Sequence, residues 1–534
     1  MHTYFLYGLV GLAALAAYKV LVIVLTRVQN ASKARQLGCQ DPPMYPDCGV
    51  FGLKHVKQLQ AADARKQFPD FLAERQKTIS EHIGRAVSTF KIYVLGQTLY
   101  FTSDPENIKA ILATQFADYD LGPVRHAIMG EVLGDGIFVQ DGKKWEHSRA
   151  MLRPNFVREQ VSDLEMEERH VQNLFTVMPI QQNGWTEFVD IQTRFFRLTI
   201  DAATEFLFGE SVDSQIAEAK YAETDKAKAQ EHAERSFSVN FDQAQMHMAR
   251  KFRFGDMHWL HNPAEYKVNG RIVNEFIARY VDLALSKSTA ALEKKVEDQD
   301  NEKYVFLEAL ATQTQDPVQL RAQLLNILLA GRDTTASLLS WFFHQMLRHP
   351  EVFDKLRSTV IETFGTNDNP KEITFTTLKG CQYLQYCLNE TNRLWPVVPG
   401  NGRRSNKNTT LPRGGGPKGD QPIFIPKDTP VDYSIHVMHR RKDLWGEDAE
   451  QFRPERFENR RPGWEFLPFN GGPRICIGQQ FALTEAAYVV VRLLQKFDKI
   501  EAAPGELEGL VTSNLGLTNC PAKPVSLRLH EAKA

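Results

Sequence analysis

The chain has 534 residues, 64 Lys and Arg against 65 Asp and Glu, and 43% hydrophobic residues. That length and apolar content suffice for a large core, as one big domain or two moderate ones, and a net charge of −1 argues against a nucleic-acid partner. Six cysteines (Cys39, Cys48, Cys381, Cys387, Cys476, Cys520) are scattered with no framework spacing and no Cys-x-x-Cys pair. This argues against structural zinc and for a reducing, cytosol-facing body.

Tyr4 to Thr26 is strongly apolar, with one charge at Lys19. As a helix, this stretch of about 23 residues is roughly 34 Å long, enough to cross a bilayer. Arg27, Lys33 and Arg35 follow it, which places the body on the cytosolic side. The alternative, a cleaved secretory signal, fits less well, because the apolar run is too long and its basic flank comes after it. Residues 1–30 are therefore read as a membrane anchor. Residues 31–50, with Gln40-Asp-Pro-Pro-Met-Tyr-Pro46, read as a proline-rich hinge, and 51–534 as the folded body.

Phe90 to Leu95 and Gly96 to Thr102 alternate around a turn signal and predict a hairpin. Asp104-Pro-Glu starts a helix with proline at its first position. From there to about Phe375 the signals are mostly helical. Gly134 to Gly142 is a loop leading into a helix on which Trp145 and Arg149, four apart, share a face. An indole N–H beside a guanidinium fork makes a carboxylate clamp. Residues 210–262 are polar, then basic and aromatic (Arg250, Lys251, Phe252, Arg253, Trp259), and read as a solvated helical lid.

Ala322 to Phe343 is apolar nearly all round, which predicts a buried helix. In its middle sit Ala330, Gly331, Arg332, Asp333, Thr334 and Thr335. The small residues let a flat group lie against the backbone, and the glycine with adjacent hydroxyls invites a local break in the hydrogen-bond ladder. Asp333 and Thr334 are costly in such a helix unless satisfied or used. Glu390 and Arg393 share a helix face, and Arg456 sits in a proline-bound turn. Leu411-Pro-Arg-Gly-Gly-Gly-Pro417 is a flexible glycine loop with no phosphate-binding pattern after it.

The last motif is Phe469-Asn-Gly-Gly-Pro-Arg-Ile-Cys476-Ile-Gly478, a tight loop that runs into an apolar helix pattern. A cysteine at a helix N-terminus is expected to have a lowered pKa and to bind metal as a thiolate. Gly472 and Gly478 permit special backbone conformations and close approaches. Arg474 is placed to meet a carboxylate, and Phe469 to shield the sulfur from water. Five fixed positions in this spacing match by chance in roughly one chain in ten thousand of this length.

This loop resembles the haem-binding loop of the cytochrome P450 family, and the other motifs resemble that family's in the same order, over about residues 40–530. The resemblance implies a mainly α fold with a small β-rich region behind the anchor helix. It implies haem b held by the Cys476 thiolate, with Trp145, Arg149, Arg403 and Arg474 as candidates for its propionates. Ala330, Gly331, Phe469, Gly472 and Gly478 would be packed against it. It assigns Asp333 and Thr334 to proton delivery for oxygen activation, and Glu390, Arg393 and Arg456 to a buried triad supporting the haem loop. Residues 210–262 would then be the mobile cover of a substrate entrance.

Short signatures around Cys476, Asp333 and Gly414 resemble the fungal group that hydroxylates alkanes and fatty acids at the ω carbon. The activity this implies is monooxygenation of an apolar small molecule. Electrons would come from NADPH through the FAD and FMN of a flavoprotein reductase on the same bilayer. The implied location is the endoplasmic reticulum membrane, single-pass, with a monomeric, cytosol-facing body. Lys143, Lys144 and Arg153 suit a basic docking face for the reductase, although plain solvated side chains fit them equally. Two further readings compete: a haem-thiolate isomerase or dehydratase that rearranges lipid peroxides without a reductase, and a non-catalytic haem carrier or sensor. The Asp333–Thr334 pair argues against the isomerase, which has no use for a proton relay.

Overall fold

The computed structural model describes residues 2–94, 96–156, 164–217, 233–294 and 305–533. Part of the expected lid, 218–232, lies outside the described residues. The chain divides into two compact units, residues 1–55, 74–120 and 402–433 in the first, and 56–73, 121–401 and 434–534 in the second.

The first unit opens with one helix, His2–Gln36, whose described side chains are almost all exposed. Leu9–Gln36 is long and apolar enough to cross a membrane, with a mean hydropathy of 2.3 over its apolar window. The helix runs six residues into the span read as a hinge. The proline stretch that follows is tethered rather than free: Gln40 N–H donates to Pro422 O, Lys91 N–H to Pro43 O and Tyr45 N–H to Lys91 O, each at 2.8 Å.

The predicted hairpin forms from Thr89–Val94 and Gln97–Thr102, with Phe90 opposite Phe101. Gln97–Thr102 pairs in parallel with Pro430–Ser434, and Tyr119–Asp120 pairs antiparallel with Gly400–Ser405 in the same five-stranded sheet. The helix Pro105–Lys109 begins as expected, with Asp104 capping Glu106 N–H at 3.0 Å. A second hairpin joins Thr409–Gly415 to Gln421–Ile425. Its glycine turn is pinned, not flexible. A Cβ on Gly415 would lie 2.4 Å from Gln40 O, and Gly414 and Gly416 have φ of +113° and +76°. Asn107 locks these pieces together. Its side chain donates to Thr89 Oγ1 and Arg413 O and accepts from Arg413 N–H, each at 2.9 Å.

The second unit is a helical body around Pro317–Met346, a 30-residue helix capped by Asp316. It is apolar all round because it is surrounded. Ile191–Phe208 and Gln479–Lys496 pack against it, bringing Phe195, Leu198, Leu339, Phe342, Val490 and Leu494 into one core. Each such side chain contributes about 1.5–3 kcal/mol when fully buried. The Trp341 indole donates to Asn519 O at 2.9 Å and stacks on Trp395 at 4.2 Å. Small sheets edge the body, including Phe497–Ala502 against Ser526–Glu531. All six cysteines are free thiols.

Asn107→Ala should cost the first unit about 2–4 kcal/mol, since it strands several buried polar partners at once. Urea unfolding followed by far-UV circular dichroism reads this. A loss below 1 kcal/mol would mean that the bonds around Asn107 are replaced by water.

Candidate functional site: a cysteine loop on a buried ionic frame

The loop is folded on itself. Cys476 N–H donates to Phe469 O at 3.0 Å, closing an eight-residue turn, and Asn470 N–H and Ile475 N–H bond back to Leu467 O and Gly472 O. Asn470 and Gly472 both have positive φ, +63° and +67°. A Cβ on Gly471 would meet the Trp464 ring at 2.8 Å, so this glycine is needed for close approach. Gly478, expected to need its freedom, has φ −90° and room for a Cβ, with Phe156 no nearer than 3.7 Å. Nothing in the protein itself demands glycine there.

Helix Gly142–Leu152 comes to this loop. Arg149 Nη2 donates to Ile475 O at 3.0 Å, one residue before the cysteine. Arg474 reaches back, donating to Gln140 O at 2.9 Å and to Asp141 Oδ1 at 2.8 Å, and its guanidinium lies 4.3 Å from the Trp145 ring. Arg149 lies 5.9 Å from the same ring. Trp145, Arg149 and Arg474 are thus assembled as one cationic and indole cluster. The core helix holds the arrangement in register. Gln323 donates to Ser148 Oγ at 2.8 Å, and Asn326 donates to Leu133 O and accepts from Phe138 N–H. Arg403 belongs to the first unit, where it is buried beside Tyr433 and donates to Gly402 O.

Cys476 is accessible on the face it presents. The protein packed around the rest of it desolvates the thiol and pushes its pKa up; the Gly478 N–H and the Arg149 guanidinium oppose this and are outweighed. The expectation of a thiolate made by the helix terminus is therefore corrected. Burial dominates the partial charge of a helix end, and it is metal coordination that takes the proton from such a thiol.

The core helix is unbroken from Pro317 to Met346, without the expected break at Gly331. Thr334 Oγ1 donates to Ala330 O at 2.6 Å, so the hydroxyl is accommodated by the helix's own ladder. Along a segment otherwise buried from Ala322 to Met346, Ala330, Gly331 and Thr334 are the positions that remain partly accessible. Asp333 is buried. Burial pushes its carboxyl up to about 6, with Arg332 pulling down and Asp242 adding to the rise. An accessible sulfur in dense surroundings, two guanidiniums on one indole, and a bare strip of small residues together fit a flat, anionic, iron-bearing macrocycle.

Beneath the loop lies the expected triad. Arg393 grips both oxygens of Glu390 at 2.7 and 2.8 Å, and both residues are fully buried. Arg456 lies 3.4 Å from Glu390 Oε1 and donates to Trp445 O and Asp448. Arg393 also donates to the carbonyls of His439, Ala449 and Gln451. Sequence reading missed the link from triad to loop, which is His439. Its Nδ1 lies 3.1 Å from Arg393 O, and its Nε2 accepts Leu467 N–H at 3.0 Å, where the loop begins. Burial and the Arg393 charge hold this imidazole neutral. One tautomer satisfies both bonds, with the proton on Nδ1. Asp141, Gln323 and Asn326 were missed for the same reason: each acts through a partner far away in sequence.

Residues 57–520 match the family model described as Cytochrome P450. A protein of Debaryomyces hansenii named Cytochrome P450 52A12 is 44% identical over 99% of both chains. Cytochrome P450 monooxygenase g430 of a Fusarium species is 48% identical over 96% of this chain and 88% of its own. Cytochrome P450 52A1 of Candida tropicalis is 50% identical over 78% of this chain and 75% of its own. The crystal structure of the cytochrome P450DA heme domain superposes with a TM-score of 0.72 over 93% of this chain and 99% of that one, at 20% identity, a likeness of fold.

Glu390→Gln keeps the side chain's shape but leaves the fully buried Arg393 guanidinium without its carboxylate, while Arg456 keeps Asp448. Chemical denaturation should show a loss of about 3–5 kcal/mol. A change within 1 kcal/mol would remove the triad from the frame.

Proposed function

The chain is a cytochrome P450 monooxygenase, and on that premise we propose that it hydroxylates long-chain alkanes or fatty acids at the terminal carbon. It does so as a membrane-anchored enzyme of the endoplasmic reticulum, its body facing the cytosol, fed from NADPH by a flavoprotein reductase. The observation that carries this reading is the pairing of Asp333 and Thr334 on one helix, one buried and one accessible. A rearrangement catalyst needs no such pair. The signatures around Cys476 and Asp333 support the substrate class, and the similarity to the fungal cytochrome P450 proteins supports the monooxygenase chemistry. The apolar helix at residues 9–36 supports the anchor.

Haem held by the Cys476 thiolate would supply the reduction of O₂ and the transfer of one oxygen atom into a C–H bond. The remaining work belongs to the protein. Arg149, Arg474 and Trp145 would bind the propionates, as donors already clustered by Asp141 and the core helix. Phe469, whose carbonyl accepts the Cys476 N–H, would with bound haem limit water at the sulfur, and hydrogen bonding and solvent at a thiolate tune its metal. Asp333, with a carboxyl near 6, exchanges protons at cellular pH without a large energetic gap. Thr334 donates to Ala330 O, which leaves its oxygen lone pairs as acceptors toward the accessible face. The order of proton movement is solvent to Asp333, then through water to the face beside Thr334.

Two outcomes test this. With a reductase and NADPH, alkanes and fatty acids of graded length should give terminal alcohols, whereas conversion of lipid hydroperoxides without NADPH would replace the reading. Thr334→Ala should keep the thiolate-type carbon monoxide spectrum and raise the ratio of peroxide to product by about ten-fold or more. Unchanged coupling would take Thr334 out of proton delivery.

A further inference from the structure

Arg332 is the one bulky residue among small ones at the centre of the core helix, and it is buried. Its guanidinium meets two carboxylates on two different helices. Nη1 and Nη2 both donate to Asp242, on helix Ala233–Phe254, with Nη2 at 3.2 Å from Oδ2. Nη1 also lies 3.3 Å from Oδ1 of Asp333, the adjacent residue. The rings of Phe196 and Phe241 flank the cation at 5.7 and 6.0 Å, so the contest between the two carboxylates takes place where charge interactions are strong. The Arg332 backbone does not follow helix Ala233–Phe254: its carbonyl accepts from Thr199 Oγ1 at 2.8 Å, on helix Ile191–Phe208.

We propose that Asp242 is a positioning residue for proton delivery: it holds the Arg332 guanidinium to itself and so keeps Asp333 from being locked as an arginine-paired carboxylate. The proposal rests on the reading of Asp333 as the proton carrier. A carboxylate gripped bidentately by a buried guanidinium, as Glu390 is by Arg393, has both oxygens committed to N–H donors. Asp333 has the same partner type one residue away yet has Arg332 at only one oxygen, without hydrogen-bond geometry. The groups facing it are Arg332 on its own helix, Asp242 and the Gln245 amide on helix Ala233–Phe254, and the Cys520 thiol on strand Asn519–Pro521. Arg332 is the cation of this set and Asp242 the competing anion. Burial raises the Asp333 carboxyl to about 6, Arg332 lowers it and Asp242 raises it. Removing the Asp242 charge deletes a raising influence and frees Arg332 to strengthen the lowering one, so both changes have the same sign.

The test is an infrared pH titration of the full-length, haem-loaded protein, following the protonated-carboxyl C=O band that vanishes in Asp333→Asn. The Asp242 side chain is half exposed, at 51%, so Asp242→Asn places an amide where water can solvate it. The band's midpoint, expected near 6 in the wild type, should fall by about one pH unit or more in Asp242→Asn and return towards the wild-type value in Asp242→Glu. At neutral pH, Asp242→Asn should also form more peroxide per NADPH consumed than Asp242→Glu. An unmoved midpoint in Asp242→Asn overturns the proposal and leaves the role of Asp333 standing, provided Asp333→Asn still uncouples. If Asp333→Asn does not uncouple, the reading beneath the proposal fails and takes the proposal with it.

Discussion

A single buried carboxylate, Glu390, is shared by two guanidiniums and one backbone N–H, that of Arg453. With no exposure to water, its oxygens are met by these partners in place of solvent. The cluster extends through Arg393 O and His439 to Leu467 N–H, the residue at which the cysteine loop starts. A rigid ionic frame is a costly way to stabilise a protein, since well-packed apolar side chains do as well or better. Its use here is geometric. It fixes backbone carbonyls and one imidazole at defined positions below the loop that carries Cys476, the placement that the proposed iron ligation would require.

Above that frame, one helix performs two opposed tasks. Its buried faces carry the core of the second unit, with Leu339, Phe342 and Phe343 packed on all sides. Its accessible strip, Ala330, Gly331 and Thr334, stays bare. Asp333 lies between, in the core rather than on the strip, so its charge state is decided by neighbouring side chains instead of solvent. A thiol pushed up by burial and a carboxyl pushed up by burial both resist ionisation in the protein alone. Each needs a specific partner, metal for one and a guanidinium for the other, and the second partner is divided between two carboxylates.

Periodicity made the elements legible in the sequence. Alternation at 90–102 gave the hairpin, an all-round apolar run gave the buried helix, and Asp104-Pro105 gave a capped start. The fixed spacing from Phe469 to Gly478 made the loop legible, because those residues close on one another locally. What stayed hidden was made by distant partners. Residue 332 is paired 90 positions away with Asp242, and Gln140 meets Arg474 across 334. The proline stretch reads as a stiff hinge and the glycine turn as a flexible loop; both are held in place where Gln40 N–H bonds to Pro422 O. The cysteine's acidity was misjudged because helix-end charge is visible in a sequence and desolvation is not.

The most direct measurement of the central claim is the spectrum of the reduced, carbon monoxide-bound protein, for the wild type and for Cys476→His. The account predicts the red-shifted Soret band of thiolate ligation in the wild type, and its replacement by a histidine-type band in the variant with haem retained. A red-shifted band that survives in Cys476→His, or a wild type that binds no haem, would contradict it.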